Sequence, residues 1–441
     1  MESSLSHHRR QLAYDDGKIQ IQYGSLQAAL AESAIMQLEN INVGDYVAWS
    51  PKNDFDSFLN FWALQRRGCV TCPISSRISN SKRCQMAEQI NAKWLRAMLD
   101  CKGKTQHEFV DSDGATAPNP PATLIFSSGS TGQPKAIVHA MSSHIASAAG
   151  AAEIIPLESG DRWLWSLPLY HISGLSILIR CATAGATVVG LPFGQELNTH
   201  ALDKLHVTHL SVVGTQLRRL LAEKAFPPRH LRTVLLGGSS IDPKLVEAAR
   251  NLGVDVRTTY GLSEMASQVT TSAADGASNA SGKLLENREL QISATGEILV
   301  RGETLALGYL QNGEIRSLIN EDGWFHTNDI GALNGDSELI VCGRVDNMFI
   351  SGGENIHPEN IERAMNSLFN LQQVIVVPLT DKEFGARPVA FVDGVLPMDW
   401  KEKLIQLLPK YEVPLEVHPW PSGTDTQIKP DRIHLQRLLS G

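Results

Sequence analysis

The stretch Ser127–Ala136, SSGSTGQPKA, follows the apolar run Leu124-Ile125-Phe126 and constrains this chain more than any other segment. Its serines, glycines and threonine offer no side chain large enough to build a core. They leave backbone N–H groups and hydroxyls free to surround an anion, and Lys135 adds a point charge. A surface linker has a similar composition, but linkers rarely leave a buried strand directly and close in Pro-Lys. The segment is not a Walker loop, which places Lys straight after its second Gly and Ser or Thr after the Lys. Here Gln133-Pro134 intervene and Ala136 follows.

SSGSTGQPKA resembles the phosphate loop of the acyl-adenylate-forming superfamily, a Ser/Thr/Gly run that usually ends Pro-Lys-Gly. Ala136 stands in place of the last Gly. The resemblance implies that Ser127, Ser128, Gly129, Ser130, Thr131, Gly132 and Lys135 meet the phosphates of ATP.

The chain is long enough to carry the rest of such an enzyme: 441 residues, 42% hydrophobic, suggest two or three domains with sizeable cores. A formal charge of −8 argues against a nucleic-acid polyanion as the main partner. No apolar run is long enough to span a bilayer, and MESSLSHHRRQL does not read as a signal peptide. The six cysteines are scattered, which fits a reducing, cytoplasmic location. Cys69 and Cys72 form a C-x-x-C, but Val70-Thr71 and Pro73 around them read as strand, with no second Cys/His pair nearby to complete a metal site.

Periodicity predicts alternating helices and strands over the first ~120 residues, including a helix capped by Ser25, a strand at Asp45–Trp49 and a helix at Phe58–Arg66. After the loop come helices around Met141–Ile154, Leu175–Ala184, Gln216–Glu223 and Pro243–Asn251. Strands are expected at Trp163–Leu167, Thr187–Gly190, His209–Val213, Thr233–Leu236 and Asp255–Thr259. This spacing implies crossover units and mostly parallel sheets, with ligands gathering beyond the strands' carboxyl ends. Ser272–Ser281, SAADGASNAS, reads as a mobile loop. TGEILVRG and SELIVCGR read as strands of a small antiparallel subdomain, and the remainder as a compact α+β tail. The expected fold is therefore α/β. A large N-terminal domain of mostly parallel sheets flanked by helices, with a small β-subdomain, spans 1–345. A small mobile α+β domain spans 346–441.

The other superfamily motifs follow in order. LLGGSSI, Leu235–Ile241, also looks like the phosphopantetheine signature of a carrier domain, yet it follows a strand in alternating α/β. The resemblance instead makes Gly237-Gly238 the turn beside adenine. In TTYGLSEMASQ, Thr258–Gln268, the family pattern gives Tyr260 to the adenine face, Gly261 to a sharp turn against the acyl group, Ser263 to phosphate and Glu264 to Mg²⁺. SLPLYHISGL, Ser166–Leu175, places His171 where the family carries a His or aromatic. That residue can orient the substrate carboxylate or gate the pantetheine channel.

WFHTNDIG, Trp324–Gly331, puts Asp329 at the ribose diol, with Asn328 where Gly is usual. In GRVDNMFISGGENIHPEN, Gly343–Asn360, the resemblance gives Arg344 a second ribose or phosphate contact, Asp346 the hinge, and Ile350–Gly353 a hairpin tip near the thiol. QIKPDRIHL, Gln427–Leu435, carries Lys429 and Arg432 in the terminal Lys-x-x-Arg spacing, with Ile428 and Pro430 departing from the usual pattern. Lys429 is the expected catalytic lysine.

The implied chemistry uses ATP, Mg²⁺ and CoA. A carboxylate attacks the α-phosphate to give acyl-AMP and pyrophosphate, and a thiol then displaces AMP. SLPLYHISGL, GTQLRRLL and DKEFGARPVAF look most like the bacterial o-succinylbenzoate–CoA ligases of menaquinone synthesis. Their acid has two carboxylates, and Ser173, Gln216 and Arg218 are candidates to meet the one that is not activated. Another aryl- or fatty-acyl-CoA ligase would share every motif. An amino-acid-activating domain would want an acidic pocket residue, and a nucleotide sensor would release no pyrophosphate. The expected partners are a small carboxylic acid, ATP and CoA, without nucleic acid or a membrane span; a homo-oligomer is compatible with the sequence.

Overall fold

The computed structural model describes residues 8–33, 41–94, 119–128, 134–192, 194–238, 242–421 and 432–439. Among them two large sheets carry the molecule. In the nine-stranded sheet, Asp255–Leu262, Thr233–Leu236, His209–Val212, Arg162–Leu164 and Thr187–Val189 run parallel in that order, followed by Leu12–Asp15. The antiparallel strands Ser267–Thr271 and Lys283–Leu284 extend it at the end nearest the site. The seven-stranded sheet sets Pro121–Ser128 parallel to Val70–Pro73, which in turn lies beside Tyr46–Trp49. Its other half is antiparallel: Pro134–Ala140, then Gly308–Gln311.

The helices cover these sheets with the apolar faces that the sequence pattern predicts. Met141–Ile154 and Pro243–Asn251 have the expected bounds. The second starts as its sequence dictates, with Asp242 accepting from Lys244 N and Pro at the first turn. Ile172–Ala184 is buried almost throughout, and Gly185 closes it in the left-handed region at φ 69°. Ser25 is not a cap: the helix Tyr23–Glu32 starts two residues earlier, after Gln22.

Strands Arg288–Ile292, Glu297–Gly302, Phe325–Leu333 and Leu339–Arg344 form the expected small antiparallel sheet. Ser272–Ser281, expected as a mobile loop, is tied down instead. Ser272, Ala280 and Ser281 are buried, Thr258 Oγ1 donates to the Ala280 carbonyl, and Thr270 Oγ1 donates to that of Ser281. Small polar residues here serve close packing, since a Cβ at Gly282 would lie 2.0 Å from Ser272 N.

Beyond the short turn Val345–Asn347 lie the hairpin Phe349–Ser351/Glu354–Ile356, the helix Pro358–Phe369 and the three-stranded sheet of Gln373–Asp381, Gly385–Asp393 and Val417–Pro419. Their buried side chains, from Ile356 to Leu435, form clusters that share no residue with those of the preceding chain. Cys69, Cys72, Cys181 and Cys342 are free thiols, the first two on or beside a buried strand as expected. Among the described residues no helix is long and apolar enough to cross a membrane.

Candidate functional site

The phosphate-loop segment is flanked by two paired strands. Pro121–Ser128 pairs with Pro134–Ala140, with Ser127 opposite Lys135 and the backbone of Ser128 opposite Pro134. Gly129, Ser130, Thr131 and Gly132 lie outside the described residues. Ala136 explains its own departure from the Gly pattern. It is a strand residue, 2% exposed and opposite Phe126, where a methyl group fills core space.

Lys135 projects over the ring of Tyr309, its Nζ 5.1 Å from the centroid. Tyr309 donates its hydroxyl to Glu264 Oε1 at 2.8 Å. The loop lysine and the expected metal ligand are thus joined through one aromatic side chain. Burial and the Glu264 charge push the Tyr309 phenol far above its ordinary range, so it acts only as a neutral donor. Glu264 sits on the single turn Ser263–Met265, immediately beyond the strand Asp255–Leu262.

Gly261 does not make a turn. The strand runs through it with a bulge after Tyr260, and a Cβ there would stand 2.0 Å from the Ser267 carbonyl oxygen. The glycine therefore answers the close approach of the next strand. Gly237 plays a similar part, where a Cβ would meet Thr259 Cγ2 at 2.6 Å, and Gly238 takes φ 85°. Ser239, Ser240 and Ile241 lie outside the described residues.

Asp329 is brought to this point by the strand Phe325–Leu333. Tyr260 Oη donates to its Oδ2 at 2.7 Å and Arg344 to its Oδ1 at 2.8 Å. Tyr260, 9% exposed, has its phenol held neutral by burial and by Asp329. Burial opposes the charge on Arg344, but Asp329 and Asp346 outweigh it, and the guanidinium is held more firmly protonated than usual. Asn328 adopts φ 59°, the left-handed conformation for which Gly is otherwise suited, and its N–H donates to Glu297 Oε1. The Asn-for-Gly departure leaves this turn intact. Asp346 accepts from Arg344 at 3.3 Å within the turn Val345–Asn347.

The acyl-side candidates fare unevenly. His171 is the exposed residue just before the helix Ile172–Ala184, and Ser173 lies in that helix's first turn. Gln216 is turned inward to its own helix, its Oε1 accepting from Val213 N at 3.1 Å. Arg218 is spent elsewhere, on Asp242 at 3.0 Å and on Asn370 at 2.8 Å in the C-terminal segment. Lys429 lies outside the described residues, while Arg432 is visible and pairs with Glu362 at 2.6 Å and Glu359 at 3.2 Å.

One basic residue escaped the sequence reading. Arg180, in the apolar helix ISGLSILIRCATA, is 5% exposed and has no carboxylate partner among the described residues. It hydrogen-bonds Gln268 Oε1 and reaches Ser267 Oγ at 3.4 Å, lies 5.3 Å over the Trp163 ring, and leaves its Nε unpaired. Ser267 and Gln268 are the strand partners of Leu262 and Gly261. Burial pulls its pKa down to about 10, which still leaves a full charge at neutral pH. Arg288 lies beside it, lowered to about 9 by burial and by Arg180, but satisfied by the Gln268 and Glu286 carbonyls and Ser147. A lone Arg within an otherwise apolar helical run was the available signal.

The chain belongs to the AMP-binding enzyme family, whose pattern it matches over residues 1–310. More particularly, the 2-succinylbenzoate–CoA ligase of Salmonella typhimurium is 37% identical over 365 residues, 80% of this chain and 78% of that protein. The one from Listeria monocytogenes is 31% identical over 400 residues, 86% and 85% of the two chains. Among solved structures, an arginine-to-lysine variant of E. coli MenE with bound OSB-AMS aligns with a TM-score of 0.84 at 31% identity, covering 99% of this chain and 98% of that one. The Bacillus subtilis o-succinylbenzoate CoA synthetase in complex with the acyl-adenylate intermediate OSB-AMP gives 0.84 at 25% identity, covering 98% and 97%. The same enzyme in complex with ATP and magnesium ion gives 0.83 at 25%, covering 99% of both chains.

Proposed function

We propose that this chain activates o-succinylbenzoate with ATP to an acyl-adenylate and pyrophosphate, then transfers the acyl group to CoA with release of AMP. The relatives' names and the bound intermediate of a structural neighbour support the reaction. The observation that carries the acid is Arg180, a buried cation without a carboxylate partner among the described residues, bonded to Gln268 and Ser267, the strand partners of Gly261 and Leu262. Burying a guanidinium beside only neutral acceptors costs free energy, and a substrate carboxylate repays it. In this reading Arg180 takes the role for which Ser173, Gln216 and Arg218 were the expected candidates.

In this reading Asp329 accepts both ribose hydroxyls, backed by Tyr260 and Arg344, and Lys135 with the Ser127–Gly132 segment holds phosphate. Gly237 and Gly238 leave space for adenine. The carboxylate of Glu264 is a hard ligand presented by a neutral phenol, which fits a cation that keeps waters and phosphate oxygens for most of its coordination. When bound there, Mg²⁺ would supply charge neutralisation at the phosphates. His171 lies on the acid side, and Lys429 supplies the adenylation charge. Residues 346–441 act as a lid about Asp346, a division supported by the separate buried clusters on either side.

The test is pyrophosphate release across a panel of acids. O-succinylbenzoate should exceed benzoate and a medium-chain fatty acid by at least about tenfold in kcat/KM, because losing one carboxylate leaves a buried charge unpaired. Equal use of the fatty acid would overturn the substrate while leaving the family intact.

A further inference from the structure

A fully buried histidine sits behind the Glu264 turn, and the reaction as described gives it no task. His139 lies on the strand Pro134–Ala140, four residues after Lys135 and therefore on the same face of the strand. Ile137, between them on that face, packs in one cluster with Tyr260 and Met265. The His139 Nε2 lies 2.7 Å from the carbonyl oxygen of Ser263. A carbonyl can only accept, so this nitrogen carries the proton and the tautomer is set. The Nδ1 then holds a bare lone pair, and it has no partner among the described residues. His144 packs against the ring at 4.9 Å between centroids and spends its own Nε2 on Thr123 Oγ1 at 2.8 Å. A polar ring kept in such a place with one nitrogen unsatisfied is costly, and its single hydrogen bond to Ser263 is the return.

Two further bonds hold Glu264 itself. Ala306 N donates to the Glu264 carbonyl at 2.8 Å, and Tyr309 Oη holds the Glu264 carboxylate at 2.8 Å. All three tethers come from Pro134–Ala140 or from the segment that pairs with it, Gly308 lying opposite Val138 and Tyr309 opposite Ile137. The strand that bears the phosphate lysine therefore also bears the group that sets where the carboxylate stands.

We propose that His139 is a positioning residue for adenylation: through the Ser263 carbonyl it fixes the Glu264 carboxylate relative to Lys135, and so sets the affinity of the site for magnesium-bound ATP. This rests on the reading that Glu264 is the metal ligand. It requires neither a charge on His139 nor contact with substrate. Its ring pKa, lowered to about 4 by burial against a small opposing effect of the Ser263 bond, agrees with a neutral donor.

The test compares two amides in the full chain. In His139→Gln the amide nitrogen falls where Nε2 stood and can still donate to Ser263. In His139→Asn it falls near the Nδ1 position and cannot reach. The Ser263 carbonyl still accepts from Ala266 N at 3.3 Å, so the shorter side chain does not strand it. Pyrophosphate release is titrated with Mg²⁺ at fixed ATP and o-succinylbenzoate, with thermal midpoints measured alongside. His139→Asn should raise the half-saturating Mg²⁺ concentration about tenfold and recover much of its rate at high Mg²⁺, whereas His139→Gln should stay within about threefold of the parent. Equal Mg²⁺ dependence in parent and Asn variant, whatever the thermal midpoint, would overturn the proposal. So would equal loss in both variants. Glu264→Gln is measured in parallel: if its Mg²⁺ dependence is unchanged, it is the metal reading that fails. If it shifts while His139→Asn does not, only the positioning role fails.

Discussion

The Ser263–Met265 turn and the C-terminal end of the helix Pro358–Phe369 are both places where separate segments meet, and they are joined in contrasting ways. The turn is gripped by a buried histidine, a backbone N–H and a partly buried tyrosine. The helix end is met by long surface side chains. Arg218 reaches Asn370 and Lys244 reaches the Ser367 carbonyl, while Arg363, within the helix, reaches the Val341 and Cys342 carbonyls. Basic groups at a helix C-terminus are favourable, but exposed contacts of this kind contribute little and exchange readily with water. The turn is therefore held by directed, largely buried bonds and the helix end by more exposed ones, a contrast that favours the lid proposed above.

The most severe way to test this contrast is through Lys429. If that residue acts only in one placement of a movable domain, Lys429→Ala should lower pyrophosphate release by about 10²–10³-fold. Thioester formation from preformed acyl-AMP and CoA should continue near the parent rate. Collapse of both half-reactions would mean the two regions are not mechanically distinct. A smaller but clear effect is expected at Asp329, which accepts from both Tyr260 and Arg344. Asp329→Asn weakens two charge-assisted bonds of about 1.5–3 kcal/mol each, so the KM for ATP should rise about tenfold or more. The KM for the acid should hardly move. A change confined to the acid would place Asp329 outside the nucleotide site.

How much of this was legible in the sequence follows the same division. The parallel core, the hairpin strand before the phosphate loop and the small antiparallel sheet come directly from apolar runs and turn residues, because burial enforces those patterns. Asp329 and Glu264 stand in short motifs, and the structure joins each to a tyrosine, as the roles proposed for them would need. The second strand of the phosphate-loop hairpin was not legible, since Pro134-Lys135 reads as the end of a loop, and its pairing with Pro121–Ser128 on one side and Gly308–Gln311 on the other makes it a strand. Gln216 and Arg218 misled because a polar residue near the pocket in sequence can be spent on a helix cap or a neighbouring domain. Arg180 and His139 escaped for the opposite reason: each lies in an apolar run, and only three-dimensional packing shows what each faces.

The buried histidines also predict a pH signature for the fixed side. His139 has its pKa lowered to about 4 by burial, and His144 lies well below the usual imidazole value, first from burial and then from His139. Below about pH 6.5 the unfolded chain takes up protons that the folded one refuses, so stability should be full above that value and fall towards pH 4. For one such group the slope is about 1.4 kcal/mol per pH unit. His139→Gln should flatten the acid-side decline of the thermal midpoint; an unchanged slope would show that the ring is not held neutral. The smallest effect is expected at the exposed contacts of the C-terminal segment. Arg218→Ala with Lys244→Ala should alter stability by no more than about 1 kcal/mol, and pyrophosphate release by less than about threefold. A larger loss would make this contact part of the rigid frame.

The central claim is that the buried Arg180 reads the second carboxylate of the acid, and it is tested most directly by one ratio. The kcat/KM for o-succinylbenzoate is divided by that for the mono-acid lacking whichever carboxylate is not activated, in the parent chain and in Arg180→Gln. The account predicts a ratio of at least about ten in the parent. In the variant it should collapse towards one, through loss of the diacid rate by roughly 10–10²-fold with the KM for ATP unchanged. A variant that keeps the parent's preference, or one in which both acids and ATP lose equally, would contradict it.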